Sequence, residues 1–300
     1  MEAPAQRLTT QDSLRVLVVD DTRLYRRLLS DILSAMDGVQ VVGTADNGQA
    51  ALDKIAQLRP DLLTLDVEMP TMDGLETLRQ LHGTMSQMAV VMVSAHTVHG
   101  AKTTMQALEL GAFDFITKPE ASALGDNVAH LRNQLRPLIT AWRTKKYLRA
   151  LVTGTGAPSR PVGPRGETLV PDQSVRRKPA SHYGASVDIV ALGVSTGGPQ
   201  ALAQVIPKLP TDLGVPIVIV QHMPPMFTAA LAASLNGKSA LKVVEGRHGQ
   251  SLEASTVYIA PGGKQMKVAR PAAAAPLSLF ITDDPQKTTA DRPSIICSAR

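Results

Sequence analysis

Short apolar runs alternate in the first 120 residues with segments whose apolar positions recur every three or four residues. RVLVVDD (15–21) reads as a strand closed by two acids, and LYRRLLSDIL after it carries helical spacing. VQVVGTA, LLTLDV, AVVMVSA and FDFITKP read as further strands, separated by the helical QAALDKIAQL, LETLRQLHG and a helix around 103–110. This order predicts an α/β fold with a doubly wound parallel sheet. The pattern resumes at IVALGVSTGGPQAL (189–202), where a buried apolar strand ends at Val194 and a glycine-rich turn enters a helix. A second apolar strand, VPIVIVQHMP, places His222 at its end.

Parallel α/β sheets gather their chemistry at the carboxyl ends of the strands. In the first half those ends carry Asp20 and Asp21, then Asp66, Ser94 and Lys118. Three carboxylates in one crevice repel each other, and a hard divalent cation relieves the repulsion. Mg²⁺ suits this set, because it takes carboxylate and phosphate oxygens. Lys118 adds a compact positive charge, and Ser94 a hydroxyl that can hydrogen-bond a phosphoryl oxygen. Asp66 sits centrally and is the expected phosphoryl acceptor, its product an aspartyl phosphate.

In the second half, the turn after Val194 lifts Ser195 to the start of a helix, where backbone N–H groups can face developing negative charge. Gly197 and Gly198 permit the bend and the close approach of a substrate, and Pro199 suits the first helical turn. His222 ends the neighbouring strand on the same sheet edge, so the two side chains can meet as nucleophile and base. The same turn also fits plain packing or phosphate binding at a helix N-terminus.

VVDD, LTLDVEMPTMDG, VMVSAHT and FDFITKP resemble the receiver domain of two-component response regulators. That resemblance implies a flavodoxin-like five-stranded sheet with Asp66 as the phosphorylation site. It also implies Asp20, Asp21 and Asp66 around Mg²⁺, and Ser94, Lys118 and Phe115 as switch residues. GVSTGGPQAL, VIVQHMPPMFT, VYIAPGG and RPS resemble the methylesterase domain of chemotaxis response regulators. Together they imply a protein-glutamate methylesterase that can also deamidate glutamine, with Ser195 and His222 as catalytic residues. Its partners would be a chemotaxis histidine kinase and the cytoplasmic domains of methylated chemoreceptors. In that family the unphosphorylated receiver covers the esterase cleft.

The chain departs from the family pattern toward its end. The family's catalytic aspartate lies in a Gly-Met-Gly-x-Asp-Gly-type segment beyond RPS, whereas here RPSIICSAR ends at Arg300, with Ile296 where an aspartate is expected and the single cysteine at Cys297. Gln265 and His248 replace a frequent histidine and a common aspartate. The expectation is an esterase domain truncated or frameshifted at its C-terminus, with little or no activity. Asp283 and Asp284 are the candidates to replace the missing acid. The alternative function is a phosphorylation-switched binding protein with a dead esterase domain.

Composition locates the boundaries. Residues 1–135 carry 11 basic and 17 acidic groups, residues 136–185 carry 10 and 2, and residues 186–300 carry 10 and 7. The expected domains are therefore a receiver at 13–135, a basic Pro/Gly-rich linker at 136–185 and an esterase at 186–300. The stretch 137–150 can extend the receiver's last helix, with Trp142 and Tyr147 as packing residues. No aromatics interleave the RRK run and no helix-turn-helix pattern follows it, so nucleic acid is not an expected partner. No apolar run is long enough to span a membrane, and the N-terminus lacks an apolar signal core. One cysteine fits a reducing compartment, and a cytoplasmic location is expected.

Overall fold

The computed structural model describes residues 13–81, 83, 88–119, 124–153, 187–272, 275–283 and 295–297. The first domain holds β1 (Leu14–Val19), β2 (Val39–Ala45), β3 (Leu62–Asp66), β4 (Ala89–Ser94) and β5 (Asp114–Thr117). All pair in parallel, in the order β2-β1-β3-β4-β5. Between them run α1 (Arg23–Ser34), α2 (Gly48–Leu58), α3 (Gly74–Gln80) and α4 (Val98–Glu109). Side chains alternate across the sheet as the pleat requires. Val16 and Val18 of β1 join the apolar layer under α1 and the last helix, while Leu17 and Val19 join the layer on the opposite face.

Polar side chains fix where several helices begin. Asn47 accepts the Ala50 N–H, Asp73 the Glu76 N–H and Thr97 the Gly100 N–H. The last helix, α5 (Leu124–Thr153), runs well beyond position 135 with Pro137 inside it. Its second half packs on the receiver. Trp142 is buried edge-on against Phe113, Arg143 donates to the carbonyls of Asp37 and Gly38, and Lys146 pairs with Asp61. Residues 136–153, expected in the linker, therefore lie in this helix. The rest of that stretch, 154–185, lies outside the described residues.

The second domain has β6 (Val190–Val194), β7 (Ile217–Gln221), β8 (Lys242–Glu245) and β9 (Thr256–Ile259), parallel in the order β6-β7-β9-β8. Helices α6 (Gly198–Val205) and α7 (Phe227–Asn236) follow β6 and β7. A smaller sheet pairs β10 (Gln265–Ala269) antiparallel with β11 (Ser278–Thr282) and parallel with β12 (Ile295–Cys297). Val218, Val220 and Tyr258 meet Met266, Val268 and Leu279 between the two sheets. β7 is buried along its whole length. β6 is not, contrary to the expectation from its apolar sequence. It is an edge strand of the described sheet, with Val190, Leu192 and Val194 half-buried and Ala191 and Gly193 exposed.

The two domains touch. Leu17, Leu65 and Met92 of the receiver belong to one continuous apolar cluster with Leu202, Ile219 and Phe227 of the second domain. Phe227, fully buried, meets two rings of the first domain: Phe115 stacks on it at 4.6 Å between centroids and His96 at 6.2 Å. At the rim, Glu109 of α4 pairs with Lys238 at 2.7 Å and accepts a hydrogen bond from Ser234 of α7.

Candidate functional sites

The first candidate site forms where β1, β3, β4 and β5 end. Asp20, Asp21 and Asp66 bring carboxylate oxygens within 4.8 Å of one another. Asp20 and Asp66 are buried and Asp21 is exposed, so the cluster has a closed floor and an open side. Lys118 Nζ lies 2.7 Å from Asp66 Oδ2 and 2.9 Å from Asp20 Oδ2, and packs 4.7 Å from the centre of the Tyr25 ring. A cleft of about 230 Å³ opens there, lined by Asp21, Asp66, Glu68, Ala95 and Lys118. Ser94 is buried at the adjoining strand end, its hydroxyl 3.3 Å from the Ala95 carbonyl.

Burial pushes the Asp66 carboxyl up to about 7; Lys118 pulls it down, and the neighbouring Asp20 and Asp21 charges push it up. Burial opposes the Lys118 charge, but Asp66 and Asp20 outweigh it and raise the ammonium's affinity for its proton. Among the described residues Lys118 is the one cation paired with these carboxylates, while Arg26 donates to the main-chain carbonyls of Asp20 and Asp21. Three oxygen donors converging under one ammonium fit a hard divalent cation.

The second candidate site forms at the ends of β6 and β7. Val194 pairs with Gln221, and the His222 N–H donates to the Val194 carbonyl at 3.2 Å. Ser195 and His222 therefore stand side by side at one sheet edge, both exposed. Among the described residues their side chains make no hydrogen bond to each other, and no carboxylate bonds the His222 ring. Asp283 is exposed and ion-paired with Lys264. Asp284 and the RPS motif lie outside the described residues.

Gly197 holds φ at +72°, a conformation that a side chain would strain. Gly198 matters for space: an added Cβ would lie 2.0 Å from Oε1 of Gln221. The group closely approaching this turn is therefore a buried side chain of the protein. Gln221 donates from Nε2 to the Ser195 carbonyl at 3.0 Å and supports the serine from beneath. Sequence reasoning passed over Gln221, although a lone amide ending an apolar strand was the available signal.

The His222 loop has its own support. A Cβ on Gly262 would lie 2.6 Å from the Met223 carbonyl oxygen, so the APGG segment backs directly onto that loop. The Gly262 N–H donates to Thr228 Oγ1 at 3.0 Å, and that hydroxyl donates to Glu245 at 2.6 Å. Met226 holds φ at +70° just before α7.

One further residue links the sites. Asp114, at the start of β5, is buried, and its Oδ2 accepts the Gly197 N–H at 2.8 Å across the domain boundary. Only its place in the FDFITKP run was visible in the sequence.

The family model described as response regulator receiver domain matches residues 16–128, and the model described as CheB methylesterase matches residues 190–296. A protein-glutamate methylesterase/protein-glutamine glutaminase from Desulfotalea psychrophila is 44% identical over 287 residues, covering 94% of this chain and 76% of the relative. The Bacillus subtilis protein of the same name is 44% identical over 260 residues, covering 85% of this chain and 69% of its own. The solved response regulator domain of Thermotoga maritima CheB is 38% identical, covering 44% of this chain and 95% of that one, with a TM-score of 0.38.

Proposed function

The chain belongs to the protein-glutamate methylesterase/protein-glutamine glutaminase family, and from that membership and the two sites we propose a phosphorylation-controlled esterase of chemotaxis receptors. The carrying observation is β5: Phe115 in the strand stacks on Phe227 of the second domain, and Lys118 just past its end pairs with Asp66. In this reading the chain works in the cytoplasm. It receives its phosphoryl group from a chemotaxis histidine kinase and acts on methylated glutamates of receptor cytoplasmic domains.

Asp66 Oδ attacks phosphorus in the donor, forming the acyl phosphate as the donor's bond to phosphorus breaks. Asp20, Asp21 and Asp66 would hold Mg²⁺, which neutralises charge on the incoming phosphoryl oxygens when bound. Lys118 then exchanges its bond to the Asp66 carboxylate for one to the phosphoryl group, and Ser94 donates its hydroxyl to another phosphoryl oxygen. β5 and Phe115 shift with them, loosening the stack on Phe227.

In the second domain, His222 takes the Ser195 proton as Oγ attacks the ester carbonyl. The tetrahedral oxyanion collapses, methoxide leaves as methanol with that proton, and an acyl-serine remains. Water, deprotonated by His222, then releases glutamate and restores Ser195. Glutamine would follow the same route with ammonia as leaving group.

The test is methanol release from methylated receptor membranes with and without acetyl phosphate. Stimulated release that disappears in Ser195→Ala supports the reading. The His222 ring, which no carboxylate bonds among the described residues, favours a second reading, a phosphorylation-switched binding protein. Release equal to that of Ser195→Ala, with normal labelling of Asp66, would establish that one instead.

A further inference from the structure

Asp114 is a buried acid that neither reaction uses. It is 7% exposed, its Oδ1 accepts the Phe115 N–H at 2.9 Å, and its Oδ2 accepts the Gly197 N–H at 2.8 Å. Among the described residues it makes no ion pair, so its charge is met only by backbone N–H groups. Burial pushes its carboxyl up to about 6, with the Gly197 and Phe115 N–H groups pulling it back. A neutral acceptor could satisfy the Gly197 N–H without the cost of desolvating a charge. The contact is thus an expensive way to join two surfaces.

The location gives that cost a purpose. The N–H belongs to the serine turn, two residues after Ser195, and the turn opens into α6, whose N-terminus favours negative charge. The group seated there is a carboxylate, which is also what hydrolysis of a glutamate methyl ester produces. We propose that Asp114 is an internal stand-in for the glutamate carboxylate, seated on the Gly197 N–H so that the receiver occupies the esterase's anion position. This rests on Ser195 being the esterase nucleophile, and it adds a defined inhibitory group to domain closure.

β5 connects the plug to its control. Asp114 starts the strand, Phe115 follows with its ring on Phe227, and Lys118 lies just past the end with its ammonium on Asp66. A strand of four residues spans about 13 Å. Displacement of Lys118 from Asp66 therefore acts on the same short element that holds the plug.

The test uses the full chain labelled with ¹⁵N-glycine and sodium acetate as the probe carboxylate. In Asp114→Ala the Gly197 amide resonance should move upfield as its hydrogen bond is lost. Acetate should return it saturably toward the wild-type position, while sodium chloride should not. Asp114→Val serves if the alanine variant folds poorly, since it fills the space in the strand and offers no acceptor to the Gly197 N–H. An unchanged resonance in both variants, or acetate no more effective than chloride, overturns the proposal. In parallel, labelling of Ser195 by a small organofluorophosphate should be roughly tenfold faster in Asp114→Ala and slow again with acetate. Equal labelling of wild type and variant sinks the plug and leaves the nucleophile standing. No label in any variant removes the nucleophile reading, and the inhibitory role with it, while the amide shift still reports the contact.

Discussion

The receiver crevice and the serine turn are built in opposite ways. In the crevice the acids and Lys118 already touch, at 2.7 and 2.9 Å, and two of the three acids are buried. At the turn, Ser195 and His222 are exposed and unbonded to each other, and the order lies underneath them in Gln221 and across the interface in Asp114. Charge explains the contrast. A cluster of carboxylates must be compensated wherever it is buried. Ser195 and His222 stand exposed and bury no cluster of charge, so their alignment can wait for substrate. The receiver's site is set by its own domain, while the esterase turn is set partly by its neighbour.

The sharpest break of this comparison is a pair of substitutions. Asp66→Asn should abolish labelling by a small phosphodonor with Mg²⁺ and leave unstimulated methanol release intact. Ser195→Ala should abolish methanol release and leave phosphorylation intact. Loss of both functions in either variant would mean that the sites do not divide as drawn.

Gln221→Leu should come next in size. It removes one of two donors to the Ser195 carbonyl, which keeps the Gly198 N–H at 2.7 Å, at a cost of about 0.5–1.5 kcal/mol. The expected outcome is a lower kcat for methanol release and a lower midpoint for the second domain's unfolding, with Asp66 labelling unchanged. An unaltered kcat would show that Gln221 does not position the serine.

The Asp114 carboxyl predicts a pH effect on domain docking. Its pKa is held near 6 when docked and falls toward the ordinary 3.8 when released. The docked form therefore binds the proton more tightly and is favoured below pH 4. That advantage fades as pH rises through 6, by about 3 kcal/mol at most. Glu109 and Lys238, an ion pair between the domains, are partly exposed. Domain separation followed by small-angle scattering between pH 4 and 7 should show this loosening in wild type and lose it in Asp114→Asn. A pH profile identical in the two proteins would assign the effect elsewhere.

Glu109→Gln should do least. It weakens a rim ion pair with Lys238, worth under ~1 kcal/mol, and the effect should shrink further at high salt. A large loosening of the domains by this substitution would move the weight of the interface from Asp114 and Phe115 to its rim.

Much of the molecule was legible in the chain itself. Short continuous apolar runs separated by helical spacing marked all five receiver strands, and the polar groups at the ends of β1, β3, β4 and β5 converge as those strand ends required. Ser195 and His222 were visible for the same reason, as the residues that follow two neighbouring parallel strands. What the linear pattern does not carry is partnership between distant side chains. An apolar run does not say whether its strand lies at the centre or the edge, so β6 reads like β7 although one of its faces is open. The sequence let the last helix run on over 137–150 with Trp142 as a packing residue, but not that Trp142 meets Phe113 or that Arg143 reaches the Gly38 carbonyl. Asp114 reads as one more acid in a receiver motif until the folded domains bring it to Gly197, 83 residues away. Local periodicity thus determined the strands and the order of chemistry along their ends. Which carboxylate is buried without a counter-ion, and against which N–H, only the docking of two finished domains could decide, because desolvation and hydrogen-bond geometry exist only once both surfaces have met.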